Sequence, residues 1–334
     1  MTREATTPGQ PAHDAVVAWL LEGDVAVQYQ TRRTVLGEDP AALAPLRARI
    51  AAEGWGARFL AQRDPATAMW GGGLYSPKWV STHYTLLDLV SLGVDPSAPG
   101  LRESAGVLLA GLWPGPDGTS PERDHPLDTC IAAMLLTIGT YARLGDAPLP
   151  GGHRADIVLR EIVDHLLAVT LPDGGWNCRW WRGENTHSSL HTTISALESL
   201  HEWAGGPDAY RRDEARDAEE RGWEFLLRHR LFRSETTGEP IHDQLTRLPY
   251  PGRWHYDVLR GLDYLASAGA PWDERMRDGF DRILAERRTD GTWPVQTPYG
   301  GRTHFTMETI GGPSRWNTLR ALRVMRAYGE IAGA

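Results

Sequence analysis

The sequence predicts an all-α protein, a closed α/α barrel built from six pairs of helices. Apolar residues recur with the 3.6-residue period of a helix along nearly the whole chain, and no β-rich segment competes with this pattern. A short turn is also repeated, since residues 172–176 (PDGGW) and 289–293 (TDGTW) each lie between two helical runs. Such a repeat is typical of arrays of supersecondary units that bury a core by stacking on one another.

The predicted helices come in pairs, in which a charged, amphipathic helix precedes an apolar one. A helix that is apolar around most of its girth is buried, so six apolar helices would form an inner ring and six polar ones an outer layer. The predicted pairs are 12–21 with 24–36, 44–62 with 79–92, 100–112 with 128–143, 154–170 with 188–204, 209–230 with 254–268, and 273–288 with 314–328. We expect a single domain over residues 1–334, flexible at 1–11, with the barrel spanning about 12–330.

Composition and charge argue against several classes of protein. The net charge of −8 is not that of a nucleic-acid-binding surface. No apolar run reaches the roughly 18 residues that a membrane span needs, and the polar N-terminus lacks the core of a signal peptide. The two cysteines, Cys130 and Cys178, do not make a disulfide framework. We therefore predict a cytoplasmic protein with no nucleic acid and no membrane span. We also expect it to act on a small molecule without an obligate partner subunit.

A barrel of this kind gathers one end of every inner helix at one rim. Because outer and inner helices alternate in direction, the inner helices run parallel, and their N-termini, which carry partial positive charge, meet. A pocket at that rim is the expected active site, and its aromatic residues could bury an apolar ligand or stabilise a cation. The candidate substrate-binding residues are Trp79, His83, Tyr84, Trp180, Trp181, Trp254, Tyr256, Arg315, Trp316 and Asn317.

Titratable residues near the same rim are candidate catalytic acids or bases. Glu308 could exchange a proton with a substrate, or it could pair with Arg315 and fix its loop. Asp257 could instead cap its helix. His187, four residues before His191, could act as a general base, bind a metal as a fourth ligand, or support a metal ligand. The candidate catalytic residues are His187, His255, Asp257 and Glu308.

The Asp-Gly-x-Trp turns resemble the repeat of the squalene cyclase and prenyltransferase superfamily. The resemblance covers about residues 44–328 and implies an α6/α6 toroid, in agreement with the six helix pairs. The Asp-x-Asp-Asp motif of the class II terpene cyclases is absent, because the nearest segment, 124–128 (DHPLD), does not match it. The resemblance thus implies an enzyme of cyclase or transferase type rather than classical squalene cyclisation.

A second resemblance, to the beta subunits of protein prenyltransferases, concerns a zinc site. Those proteins use an Asp-x-Cys at the start of one inner helix and a His at the start of a following one. Here Asp128 and Cys130 stand at one such start, and His191, 63 residues after Asp128, at the next. The resemblance implies a Zn²⁺ cofactor held by these three residues with an open fourth position, the arrangement of catalytic zinc. The diphosphate-binding residues carry over only as Arg123 and His125.

Structural explanations stand beside each of these assignments. Asp128 occupies a position suited to a helix N-cap, Cys130 could be a small buried hydrophobe, and His191 could simply be hydrogen-bonded. Cys178 follows a repeated turn and is expected to serve in packing. Trp176 and Trp293, the tryptophans of the two turns, are expected to pack between successive repeat units and hold them together.

Three functions are consistent with the sequence. The first is a zinc-dependent cyclase or transferase acting on a small, partly apolar substrate, with zinc as a Lewis acid or as an activator of a thiol or water. The second is a metal-free cyclase or isomerase that uses carboxylate and histidine acid–base chemistry. The third is a non-catalytic toroid that binds a ligand or another protein.

Overall fold

The chain folds into α-helices joined by turns and loops. The computed structural model describes residues 10–116, 118–120, 125–183, 186–207 and 209–332. The predicted diphosphate residue Arg123, the residue Asp124 of the unmatched motif and most of the predicted flexible segment 1–11 lie outside those ranges. In the described part, the regular strands are two short antiparallel ones, β1 (Trp293–Pro294) and β2 (Pro313–Ser314).

Thirteen α-helices are present in this described part, interrupted or extended by short 3₁₀ and π turns. The helices are α1 (Gln10–Leu21), α2 (Val25–Gln30), α3 (Ala44–Arg49), α4 (Gly54–Leu60), α5 (Thr82–Leu92), α6 (Leu101–Leu112), α7 (Thr129–Tyr141), α8 (Ala155–Ala168), α9 (Leu190–Ala204), α10 (Arg212–Arg228), α11 (Val258–Ser267), α12 (Arg277–Ala285) and α13 (Arg315–Ala332). A π-helical turn, Thr31–Val35, continues α2, and 3₁₀ turns lie at Trp180–Arg182, Asp243–Thr246 and Glu274–Met276.

Buried and exposed helices alternate along the chain as the sequence predicts. In α7 nearly every side chain from Thr129 to Gly139 is buried, whereas α10 exposes most of its charged residues and buries one face. The buried helices contact one another: α7 packs against α5 and α9, α11 against α13, and α13 against α2 and its π turn. One continuous hydrophobic core runs from Val16 to Tyr328.

Two predicted helices are broken in the structure. The predicted helix 44–62 becomes α3 and α4, because Gly54 takes a left-handed φ of 62° and a Cβ there would lie 2.1 Å from the Asp24 carboxylate. That carboxylate also accepts a hydrogen bond from the Trp55 backbone N–H at 2.8 Å. The predicted helix 273–288 starts as a 3₁₀ turn and continues as α12. The break at Gly54 depends on a contact and a hydrogen bond that helical periodicity does not report.

Among the residues that the structure describes, the repeated turn occurs three times with the same hydrogen bonds. In each copy a fully buried tryptophan donates its indole N–H to a carbonyl of the preceding helix, and its backbone N–H bonds a threonine hydroxyl on the following helix. The indole bonds are Trp70 to Phe59 O (2.7 Å), Trp176 to Leu166 O (2.8 Å) and Trp293 to Ile283 O (2.8 Å), and the threonines are Thr82, Thr193 and Thr318. Each of these tryptophans therefore links a helix to the buried helix that follows it, with one hydrogen bond to each.

The copy at Trp70, the first along the chain, lacks the Asp-Gly-x-Trp signature but keeps the backbone geometry. Two positions before the tryptophan the chain is left-handed in all three turns, with φ of 91° at Gly174, 83° at Gly291 and 59° at Ala68. Glycine adopts this conformation at little cost. Because an alanine occupies the position in the first copy, the Asp-Gly-x-Trp pattern does not reveal it.

No helix in the described part of the chain is long and apolar enough to cross a lipid bilayer.

Candidate functional site

A cavity of about 680 Å³ lies among the buried helices. Its walls come from α2 with its π turn, α5, α7, α9, α11 and α13, together with the loop that precedes α11. Of the residues that the sequence singles out, Tyr84, Asp257 and Trp316 line it. The lining also includes the C-terminal halves of α7 and α9, so the cavity extends away from the predicted rim of helix N-termini.

Aromatic rings form one part of the cavity wall. Tyr250 and Trp316 stack with their ring centroids 5.2 Å apart. Tyr84 is fully buried, and its hydroxyl donates to the Tyr75 hydroxyl at 2.8 Å. Burial of Tyr250 raises its pKa well above the usual value, so this hydroxyl stays neutral. This part of the wall suits the apolar portion of a ligand.

Charged side chains form another part of the wall, and several of them pair with one another. Arg260 makes a bidentate ion pair with Glu198 at 2.8 and 2.6 Å, which joins α11 to α9. Asp263 lies 3.5 Å from Arg320 and 3.2 Å from Arg323, which joins α11 to α13. Paired charges of this kind keep the cavity polar without leaving a buried charge uncompensated.

Another buried pair joins Arg253 to Asp88 on α5. Their side chains are 5% and 9% exposed. Burial raises the pKa of Asp88, and the Arg253 guanidinium opposes that rise. The loop that carries Arg253 is fixed by Asn317, whose side-chain amide donates to the Leu248 and Pro294 carbonyls at 3.0 Å. The predicted substrate-binding residue Asn317 therefore positions a cavity-lining loop.

Asp257 combines burial with an incomplete set of hydrogen bonds. Its Oδ1 accepts the Arg260 backbone N–H at 2.8 Å, so it caps α11, and lies 3.5 Å from Arg320. Its Oδ2 has no hydrogen-bond partner among the described residues. Burial raises the pKa of this carboxyl, while Arg320 and Arg260 lower it. A buried carboxyl in a cavity wall, with its pKa raised, can donate a proton.

Histidines and aromatic rings of the predicted rim pack together outside the cavity lining. His255 stacks between Trp254 and Tyr299, with centroid distances of 3.7 and 3.3 Å. His191 accepts the Tyr256 backbone N–H at its Nδ1, 2.8 Å away. Burial lowers the pKa of His255 to about 3 and that of His191 to about 4, so both rings are neutral near pH 7. They are hydrogen-bond acceptors or bases there rather than cations.

Three further residues of the predicted rim are buried in the protein interior and do not line the cavity. Trp79 donates its indole N–H to the Gly300 carbonyl at 2.9 Å. His83 is fully buried, neither ring nitrogen has a hydrogen-bond partner in the described structure, and burial lowers its pKa to about 3. Tyr256 is also fully buried, beside Gly261, where a Cβ would lie 2.5 Å from the phenol oxygen.

Several other predicted site residues have structural contacts instead of a place in the cavity wall. Glu308 caps α13, because its carboxylate accepts hydrogen bonds from the Ser314 hydroxyl and, at 3.1 Å, from the Trp316 backbone N–H. Arg315 donates to the Trp19 carbonyl at 3.1 Å. Trp180 and Trp181 contact His165 and His125 respectively, and the His187 side chain is exposed.

The predicted zinc ligands do not converge. The described residues contain no group of three His, Cys, Asp or Glu that could hold a metal ion. The Cys130 sulfur lies 2.8 Å from that of Cys178. His191 uses its Nδ1 for a backbone hydrogen bond, and Asp128 stands at the N-cap position of α7 without making a capping bond. Cys130 thus contacts the other cysteine, and the three predicted ligands do not form a ready-made zinc site among the described residues.

The sequence interpretation missed most of the charged cavity wall. Asp88, Glu198 and Arg260 each lie in a predicted inner helix, where a charged side chain is rarely buried unless it is paired. Arg320 and Arg323, spaced for one face of α13, repeat the pattern. Charges within predicted inner helices were therefore a usable signal for the cavity.

Comparisons with known proteins leave the family open. No family model and no curated protein matches this chain. Among solved structures, the chain is similar to the type II terpene cyclase MstE from Scytonema in its apo form, with 14% identity and a TM-score of 0.46 over 96% of this chain and 99% of that one. A variant of MstE in complex with geranylgeranyl dihydroxybenzoate is similar at 15% identity and a TM-score of 0.43, over 97% of each chain.

Proposed function

We propose that this protein is an enzyme of cyclase or isomerase type, that the cavity is its active site, and that Asp257 is its general acid. The observation that carries the proposal is the buried, incompletely hydrogen-bonded carboxyl group of Asp257. It is a cavity-wall carboxyl, 1% exposed, with one oxygen unpartnered among the described residues and a pKa raised by burial.

The proposal includes the closed α6/α6 toroid, formed by one domain, as the frame of the site. Six buried helical segments line one cavity, and contacts between α13 and α2 bring the last of them against the first. The Arg260–Glu198 pair joins α9 to α11, two consecutive members of this set. A ring of this kind explains how residues far apart in the chain reach one cavity.

The chemistry proposed for the cavity is a proton transfer that starts and ends on the enzyme. Protonated Asp257 donates its proton to a carbon–carbon double bond or an oxygen of the substrate, and the rearranged product returns a proton to the carboxylate. No co-substrate is consumed in such a cycle. Tyr84 and the stacked Tyr250 and Trp316 would contact the apolar part of the substrate, while the paired charges would bind its polar groups.

Asp257→Asn tests the proposal. The amide keeps the size of the side chain and its ability to cap α11 but cannot donate a carboxylic proton, so we expect turnover to fall by about 10²–10⁴-fold. Cyclisation and isomerisation conserve mass. The wild-type protein can be incubated with a small-molecule extract of the organism that produces it. It should consume one compound and form another of identical mass, detected by chromatography with mass spectrometry.

Asp281→Asn is the matched control, because Asp281 is an exposed carboxylate on α12. It should turn over the same compound at the wild-type rate. A ligand that co-purifies with the protein and is never converted would instead support the binding toroid. Turnover by Asp257→Asn at the wild-type rate would remove Asp257 from the mechanism.

Zinc dependence is a separate prediction, supported by the resemblance to the prenyltransferase beta subunits. Cys130 and His191 do lie in the first turns of two helices that pack directly together. If they bind zinc after rearrangement, elemental analysis of protein purified without chelator will find about one zinc per chain, and Cys130→Ala or His191→Ala will lose it. Zinc-free wild-type protein that is fully active would contradict this prediction.

A further inference from the structure

The two cysteines of the chain meet in space. Cys130 and Cys178 are the only cysteines in the sequence. They are 48 positions apart, and their sulfur atoms lie 2.8 Å from each other. Because the bond in a disulfide is about 2.05 Å long, the sulfurs need to approach by less than about 1 Å to become bonded.

The two sulfurs differ in their exposure. Cys130 lies in the first turn of α7 and is 7% exposed, within the hydrophobic core. Cys178 follows the second repeated turn, is only partly buried, and lies 3.2 Å from the Thr192 hydroxyl of α9. A reagent that enters from solvent would therefore reach Cys178 first, with Cys130 behind it.

We propose that Cys130 and Cys178 are a redox-active dithiol that a peroxide converts into an intramolecular disulfide. In the first step the Cys178 sulfur attacks one peroxide oxygen, so that an S–O bond forms and the O–O bond breaks, giving a sulfenic acid. In the second step the Cys130 sulfur attacks the sulfur of Cys178, the S–S bond forms, and the S–O bond breaks. Two thiols and one hydrogen peroxide thus give one disulfide and two waters, and the two sulfurs supply both electrons.

The disulfide would fix a loop beside the helices of the cavity. It would join the start of α7 to the segment that leads from Trp176 to the 3₁₀ turn Trp180–Arg182. That segment is already tied to α7, because the Thr129 hydroxyl donates to the Asn177 carbonyl at 3.0 Å. The bond would restrict the unfolded chain, and we therefore expect the oxidised form to be more stable.

The test uses the full chain, reduced and then treated with hydrogen peroxide. Thiol titration should fall from two to none per chain, and the intact mass should decrease by two hydrogens. Peptide mapping without reductant should link the peptides of Cys130 and Cys178, and dithiothreitol should reverse all three results. The melting temperature of the oxidised form should be higher by roughly 3–8 °C.

Cys130→Ser and Cys178→Ser are matched controls, since each leaves one thiol. Neither should show the linked peptides or the reversible rise in melting temperature. The comparison of reduced with oxidised wild type needs no variant, so the test holds even if a serine variant folds poorly. Two thiols that still titrate after peroxide, links only between chains, or a sulfinic acid on Cys178 without a link would overturn the proposal.

Discussion

Trp176→Ala is expected to lower the free energy of unfolding by about 3–5 kcal/mol, because it empties the site of a fully buried indole. The same change leaves the Leu166 carbonyl without the indole N–H that it accepts at 2.8 Å. Urea unfolding monitored by circular dichroism would measure the loss. Since the hydrogen bonds recur, Trp70→Ala and Trp293→Ala should each lose a similar amount.

Trp176→Phe separates packing from hydrogen bonding. Phenylalanine retains most of the apolar contact but cannot donate, so the expected loss is smaller than for alanine, about 1–3 kcal/mol. Trp181→Ala is the control for removing an indole, because Trp181 is only partly buried and its ring stacks on His125. If Trp176→Ala lowers the free energy of unfolding no more than Trp181→Ala does, the turn tryptophans do not hold successive helices together.

Arg253→Met is expected to destabilise the protein by about 3–5 kcal/mol at neutral pH, because it leaves the buried carboxylate of Asp88 unpaired. The loss should depend on pH in a defined direction. Burial already raises the pKa of Asp88 in the folded protein, and Arg253 is the group that opposes the rise. Without it the pKa rises further, so the folded variant favours the protonated acid more strongly.

A carboxyl whose pKa is higher in the folded than in the unfolded state favours folding at low pH and loses that contribution as the pH rises. The stability difference between wild type and Arg253→Met should therefore be small near the ordinary pKa of aspartate, about 4, and grow toward pH 7. Urea unfolding of both proteins at several pH values would measure it.

Two further variants serve as controls for Arg253→Met: one removes both charges of the buried pair, and the other breaks ion pairs at the surface. Asp88→Asn combined with Arg253→Met removes both charges and should recover much of the loss together with its pH dependence. Arg275→Met breaks two exposed ion pairs, with Glu224 and with Asp273; the three side chains are 36%, 50% and 31% exposed, and the variant should cost about 1 kcal/mol. A pH-independent loss in Arg253→Met would show that packing, not the charge of Asp88, is responsible.

The helices could be predicted from the sequence because their signal is local. Predicted 100–112, 128–143 and 154–170 differ from the observed helices by three residues or fewer at each end. The break between α3 and α4 could not be predicted, since it depends on Asp24, about thirty residues earlier in the sequence. The repeated turn was visible in two copies and hidden in the third by Ala68.

The candidate site was only partly predictable. Tyr84, Asp257 and Trp316 were selected from helix starts and do line the cavity. Asn317 was selected from a helix start and Glu308 from the loop before α13, but their side chains bond to neighbouring backbone and loop groups. A residue's position along a helix does not say which way its side chain points, or which loop returns to meet it.

The sequence by itself determined that this chain is helical, that polar and apolar helices alternate, and that a tryptophan turn recurs, because these properties depend on residues a few positions apart. The tertiary structure decided which distant side chains meet. It placed Arg253 against Asp88, 165 positions away, and Cys130 against Cys178 rather than His191. Such pairs depend on how whole helices pack and on the path of the loops, and local periodicity determines neither.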